Sequence, residues 1–213
     1  MAIYKNGISG GFSGKIGAVV GSTWKGIDYM RSLPRKSNRP PTEAQKAQRL
    51  KLSMAISFLS PVSDLVNTGF TSDAVKKSGF NVATSHIIQQ AIEGQYPDFT
   101  INFSRVLISS GNLTGAWNTS TQSDTPGSLT VSWTDNSGAG SATSSDQAVI
   151  LVYDAGLKKC VYTMGGAGRN LGSHTLHLPS EFSGATVDVW IAFRSADTKS
   201  ISTSIYAGQV KIA

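Results

Sequence analysis

Alternation with a period of two governs the second half of this chain. Over residues 128–134, Leu129, Val131 and Trp133 fall on one side, while Ser128, Thr130, Ser132 and Thr134 fall on the other. A strand with one buried and one wet face requires that pattern. Residues 185–194 repeat it, with Val187, Val189, Ile191 and Phe193 inward and Asp188, Trp190, Ala192 and Arg194 outward. Residues 147–153 are apolar on both faces, as in a central or doubly covered strand. Further strands are expected near 100–108, 158–163, 174–178 and 201–212. Short strands over 99–213, with turn residues between them, predict an antiparallel β-sandwich.

Residues 42–98 carry a different periodicity. Pro40-Pro41-Thr42 reads as a helix start, with Thr42 as N-cap and Gln45 completing a capping box. Ala47, Leu50, Met54 and Phe58 follow at helical spacing, so a helix is expected over 43–59. Ser60-Pro61 predicts a second, short helix over 61–67, ended by Gly69. A third is expected over 81–93, with Gly94 just past its end. His86 lies on it, with no second ligand at metal spacing.

Residues 1–41 form a third texture. Charge is concentrated at the front, where residues 1–51 hold ten Lys/Arg against Asp28 and Glu43, in a chain of net charge +6. Glycines at 7, 10, 11, 14, 17, 21 and 26 alternate with apolar and aromatic residues such as Phe12, Ile16, Val19, Trp24 and Tyr29. A flexible linker does not carry such side chains. They predict short β segments with tight turns that need partners to bury them. Trp24 to Thr42 interleaves bulky and basic residues, kept extended by Pro34, Pro40 and Pro41. Fully extended, forty residues span roughly 130 Å, enough to reach a neighbouring subunit. Aromatic and basic side chains together stack on bases and neutralise phosphates, or pin an arm to a protein surface. Trp24, Lys25, Arg31, Arg35, Lys36, Arg39 and Arg49 are therefore the candidate partner or nucleic-acid contacts.

Several function classes find no footing. The phosphate loop G-x-x-x-x-G-K-[ST] fails, because Gly14-Lys15 is followed by Ile16 and Ser9 stands where the first glycine belongs. No run reaches the ~18 apolar residues of a membrane span. Met1 to Gly14 lacks the apolar run of a secretory signal, so synthesis in the cytoplasm without export is expected. The single cysteine, Cys160, forms no intramolecular disulfide and reads as a small buried hydrophobe. His174 and His177, three apart on a strand, face opposite ways and do not chelate one metal. Asp188 and Glu181 have no evident partner, and Arg169-Asn170 follows a glycine-rich loop. No catalytic residue, metal, cofactor or small-molecule substrate is inferred. Trp190, on the polar side of a good strand, is expected either to meet the helical layer or to form a subunit interface, with a ligand platform as a third option.

Two resemblances add to this reading. The run SLTVSWT at 128–134 resembles the second strand of a fibronectin type III domain, and Ala148 to Tyr153 resembles its third. Leu178-Pro179 followed by GATVDV at 184–189 resembles the approach to its sixth strand, with Val187 where that family usually has a tyrosine. The resemblance covers roughly 100–213 and implies a sandwich, which hosts adhesion, spacing and assembly roles alike. At the front, FSGKIG at 12–17, GSTWKG at 21–26, RSLPR at 31–35, and RPPTEAQ at 39–45 with Gln48-Arg49 resemble uncharacterised proteins of Bacteroidota and their phages. That likeness covers nearly the whole chain and implies a bacterial or phage setting.

The expectation is an α+β chain with three parts: a Gly-rich basic arm (1–41), a helical region (42–98) and a fibronectin type III-like sandwich (99–213). Its expected role is a non-enzymatic, self-assembling homo-oligomer, a phage virion component whose arm meets other subunits and nucleic acid. The alternatives are a nucleic-acid-binding protein and an extracellular adhesion or carbohydrate-binding module.

Overall fold

The computed structural model describes residues 3–4, 12–24, 27–34, 39–70 and 77–213. The chain divides between Pro41 and Thr42 into two compact units.

The first unit is a sheet. Strands β1 (Ile3–Tyr4), β2 (Phe12–Ile16), β3 (Val19–Trp24) and β4 (Ile27–Ser32) pair in sequence order, each antiparallel to the next. The expected short β segments are present. The expected extended run after Trp24 is instead turned back, because residues 27–32 pair with 19–24 along their whole length.

The second unit holds the helices and the sandwich. Helix α1 (Glu43–Leu59) starts at Thr42, whose side chain accepts from the Gln45 N–H while the Gln45 side chain accepts from the Thr42 N–H. Both groups would otherwise be unpaired donors of the first turn, so the box is worth about 0.5–2 kcal/mol. A 3-10 turn (Ser60–Val62) with Pro61 in its first turn leads into α2 (Ser63–Gly69). Helix α3 (Gly79–His86) is capped by the Ser78 side chain and runs into a π-helical turn, Ile87–Ala91. There it stops short of the expected end. Ile92–Gln95 (β5) pairs with Asp98–Ile101 (β6), and Gly94, at φ +94°, lies in that hairpin rather than at a helix terminus.

Seven strands build the sandwich. Strands β9 (Gln147–Asp154), β10 (Lys159–Thr163), β12 (Thr186–Arg194) and β13 (Ile205–Lys211) form one sheet in the order β10-β9-β12-β13. Strands β7 (Trp117–Gln122), β8 (Ser128–Thr134) and β11 (Ser173–His177) form the other in the order β11-β8-β7. Every pairing is antiparallel. The chain is α+β, with a C-terminal β-sandwich. The strand expected near 100–108 is not part of it, because β6 gives way at Phe103–Arg105 to a 3-10 turn. Strand β7 takes its place. Its half-buried positions are Thr119 and Thr121 rather than apolar residues, so no alternation announces it.

Two hydrophobic cores lie on opposite faces of the four-stranded sheet. Between the sheets, Leu129, Val131 and Trp133 meet Ile150, Val152, Val187, Val189, Ile191 and Phe193. On the other face, Val149, Leu151, Tyr153, Trp190 and Ala192 meet Phe58, Leu59, Val62, Leu65 and Val66 of the helical layer. Residues 42–98 are thus a third layer on the sandwich and share its core, rather than a separate body. Strand β12 is accordingly buried on both sides between Val187 and Phe193.

Candidate partner surfaces

The sheet of the first unit sorts its residues by face. Residues opposite one another in an antiparallel pair point the same way, and neighbours along a strand point opposite ways. Lys15 pairs with Val20, and Val20 with Arg31, so one rung carries two cations at its ends. Tyr29 and Ile27 lie on that same face, two and four residues from Arg31. The other face carries Phe12, Ile16, Val19 and Met30 around Gly14 and Gly21. Gly21 is required there, because a Cβ would stand 2.2 Å from the Phe12 carbonyl oxygen and 2.8 Å from its ring. Met30 is 71% exposed and Ile27 65%. One face of the sheet therefore carries Lys15, Arg31 and Tyr29 beside Ile27, and the other carries Phe12, Ile16, Val19 and Met30 with Thr23 and Asp28 at its end.

The other candidate contacts are scattered. Lys25, Arg35 and Lys36 lie outside the described residues, and Trp24 is described only by its backbone pairing with Ile27. Arg39 is exposed just ahead of Pro40-Pro41, and Arg49 is exposed on α1 in the second unit. Trp190 meets the helical layer, the first of its expected roles, and this corrects the alternative of a subunit interface. It is 0% exposed, packs against Phe58, Phe103 and Tyr206, and donates from Nε1 to the Val106 carbonyl at 3.1 Å. Helical and irregular segments before the sandwich cover it, so it is unavailable to another subunit.

Remaining polar groups mostly serve the fold. Among the described residues, no three His, Cys, Asp or Glu side chains stand together as a metal set. His174 takes the Ala167 N–H on Nδ1 at 3.1 Å, and burial lowers its pKa. Cys160 donates to the Pro61 carbonyl, and burial pushes its thiol up. Glu181 pairs with Lys159 at the surface. Asp188 has a partner the sequence did not reveal, the Tyr206 hydroxyl, which donates to it at 2.6 Å. Burial pushes the Asp188 carboxyl above its ordinary 3.8, against the pull of that hydrogen bond and one from Gln209.

An open groove of about 470 Å³ lies beside α1, lined by Ser53, Met54, Ser57, Phe58, Phe103, Tyr153 and Lys158 among others. Its floor is the aromatic cluster under Trp190.

Arg169 is the residue whose role spacing alone did not disclose. It is fully buried, and its guanidinium lies 3.8 Å above the Phe193 ring. It donates to Asp146, to Asn136 and to the carbonyls of Thr114 and Gly115. It holds three loops together at one end of the sandwich and touches no solvent.

No curated protein matches the chain. Among solved structures, the fn3 domain of human collagen alpha-1(XX) chain is similar over 49% of this chain and 90% of that domain, at 19% identity and a TM-score of 0.35. The broader match is to a sequence family: residues 11–208 fit the family of unknown function DUF6266, and the chain belongs to that family.

Proposed function

We propose that this chain is a non-enzymatic structural protein that assembles with copies of itself through its N-terminal sheet. The observation that carries the reading is the apolar face around Phe12, Ile16, Val19 and Met30, with Met30 71% exposed. A four-stranded sheet in a unit of about forty residues cannot bury enough apolar surface on its own. Covering that face with another subunit supplies the burial, at roughly 25 cal/mol per Å² of apolar area. The basic face with Lys15, Arg31 and Tyr29 then remains for acidic neighbours or nucleic acid. The sequence likeness to proteins of Bacteroidota and their phages favours a virion component as the assembly.

A second reading, nucleic-acid binding without assembly, rests on the same rung. Lys15, Tyr29 and Arg31 share one face of the first unit, and the second unit separately exposes Lys46 and Arg49 on α1. It predicts affinity that falls steeply with salt.

Size-exclusion chromatography with light scattering, read at 260 and 280 nm, separates them. Full-length protein, Met30→Asp and residues 42–213 are compared. Assembly predicts a large discrete particle for the first and monomers for the other two. Nucleic-acid binding predicts a high 260/280 ratio that salt abolishes at monomer mass. Clean monomers throughout, free of nucleic acid, refute both.

A further inference from the structure

The three-stranded sheet β11-β8-β7 turns its outer face to water. That face carries Ser173, Thr175 and His177 from β11, Ser128, Thr130, Ser132 and Thr134 from β8, and Ser120 and Gln122 from β7. The three strands contain no Lys, Arg, Asp or Glu. Exposed strands ordinarily carry charge, especially lysine at the edges. At one end of the face, Gln122, Asp124, Thr125, Ser128, Thr130 and Thr175 line a shallow groove of about 360 Å³.

At the other end stands Trp117, 51% exposed. Its orientation is built. Trp117 pairs with Thr134 and Ser120 with Ser132, so Asn118 and Thr119 oppose Trp133 alone, in a β-bulge. Residues 117 and 120 are three apart and would face opposite ways in a regular strand. The bulge, with Asn118 at φ +48° and its amide donating to the Thr134 hydroxyl at 3.2 Å, puts both on the outer face. The indole is thereby kept out of the core that Trp133 and Phe193 fill. From Thr134 to Thr130 the face runs about 14 Å along β8.

We propose that this face binds a neutral glycan chain, with a sugar ring stacked on Trp117 and the following units hydrogen-bonded along β8 toward the Gln122–Thr175 groove. The face is matched to that ligand in charge and in chemistry. The strands offer uncharged hydroxyl and amide groups, and the charged side chain in the end groove is Asp124, which takes the Gln122 amide. Together they give no ionic attraction to an anionic sugar or phosphate, but supply the paired donors and acceptors a polyhydroxylated chain needs. A flat, exposed indole supplies a large apolar contact at small conformational cost. Every residue involved lies within 117–177, so the proposal stands or falls separately from assembly through residues 1–41.

Affinity electrophoresis of the full-length protein tests it, in gels cast with mannan, dextran, laminarin, xylan or galactomannan, and with heparin as the anionic counterpart. The expected result is retardation by at least one neutral polysaccharide. Trp117→Ala should weaken it at least about tenfold, as for a central aromatic contact, and Trp117→Tyr should largely preserve it. Thr175→Arg, which leaves the indole in place, should weaken it as well. Melting temperatures of the variants report folding, and all three substitutions are at exposed positions. Absence of retardation in every neutral gel overturns the proposal. So does retardation that Trp117→Ala leaves unchanged, or a heparin preference that Trp117→Ala abolishes. A change in oligomer mass on Trp117→Ala, without loss of glycan affinity, assigns the indole to a protein contact and overturns it too.

Discussion

The Arg169 guanidinium and the Asp146 carboxylate meet at 3.1 Å with both side chains sealed from water. The carboxylate also takes the Thr143 N–H at 2.9 Å and its hydroxyl at 2.6 Å. The arginine spends its remaining donors on Asn136 and on the carbonyls of Thr114 and Gly115. Trp133 Nε1 in turn donates to the Arg169 carbonyl at 2.8 Å. One buried pair thus fixes the loops 114–116 and 135–146 and the turn at 169–171. Breaking such a pair from one side leaves an uncompensated charge, which costs about 3–5 kcal/mol. Asp146→Asn and Arg169→Met are each expected to destabilise by that order in urea denaturation. The double variant should cost clearly less than their sum, because neither charge then remains. Additive costs would show that the two side chains are not coupled.

Buried serine hydroxyls supplement the backbone bonds, from the Ser110 N–H to Gly69 and from the Ser204 N–H to Ser109, that hold segment 108–111. Ser204 Oγ accepts from the Ile108 N–H at 2.9 Å, and Ser202 Oγ accepts from the Phe193 N–H at 2.8 Å. Both serines are buried, and water cannot replace them. Ser202→Ala and Ser204→Ala should each cost about 1–3 kcal/mol, the penalty of a buried donor left unpaired. Hydrogen exchange locates the effect, with Phe193 losing protection in the first variant and Ile108 in the second. Thr203, exposed between them, accepts from the Gly111 N–H at 3.4 Å and donates to the Gly111 carbonyl at 3.2 Å, but water can replace those partners, so its alanine variant should cost less than either serine variant.

Much of this architecture is legible in the sequence, and its gaps have physical causes. Val187, Val189, Ile191 and Phe193 alternate, so β12 and its inner face can be read directly. Alternation assigns the intervening residues to water, yet Asp188, Trp190 and Ala192 are covered by a layer from elsewhere in the chain. The capping box at Thr42 and Gln45 is local and therefore readable. The end of α3 is not, because the hairpin that ends it depends on Ile92 finding Ile101 nine residues on. Arg169 and Asp146 are 23 residues apart in glycine- and serine-rich loops, where no periodicity relates them. The candidate surface follows the same rule. Basic and aromatic content is visible in the front segment. That Lys15 and Arg31 share a rung depends on strand register.

Asp188 gives the chain a pH dependence of definite sign. Burial raises its carboxyl above the ordinary 3.8, with the Asp154 charge pushing the same way. A raised folded-state pKa means that the folded protein holds the proton more tightly than the unfolded chain. The associated stability is fully present below pH 3.8 and is lost as pH rises through the folded-state value. Asp188→Asn keeps the shape and an acceptor for the Tyr206 hydroxyl, but never ionises. The variant should melt higher than the parent at neutral pH, and the difference should close as pH falls toward 3.8. A difference independent of pH would show that ionisation of Asp188 is not its source.

Trp190 joins the sandwich to the helical layer, and its removal tests whether they fold as one. The ring stands 6.0 Å from both Phe58 and Phe103 and 5.5 Å from Tyr206, centroid to centroid. Its N–H is the partner of the buried Val106 carbonyl. Trp190→Ala removes the largest fully buried side chain at that boundary, and such truncations cost about 3–5 kcal/mol. Trp190→Phe keeps most of the volume and loses the hydrogen bond, so it should cost less. Because α1 and α2 share one core with Val149, Leu151 and Trp190 of the sandwich sheet as well as with α3, loss of this contact should lower one shared transition. Far-UV circular dichroism, which reports α1 to α3, and tryptophan fluorescence in a Trp24→Phe/Trp117→Phe background, where Trp133 in the other core is the remaining indole, should melt at coincident, lowered temperatures. Helical signal lost at lower temperature, with Trp133 unchanged, would show two folding units where the structure has one core boundary.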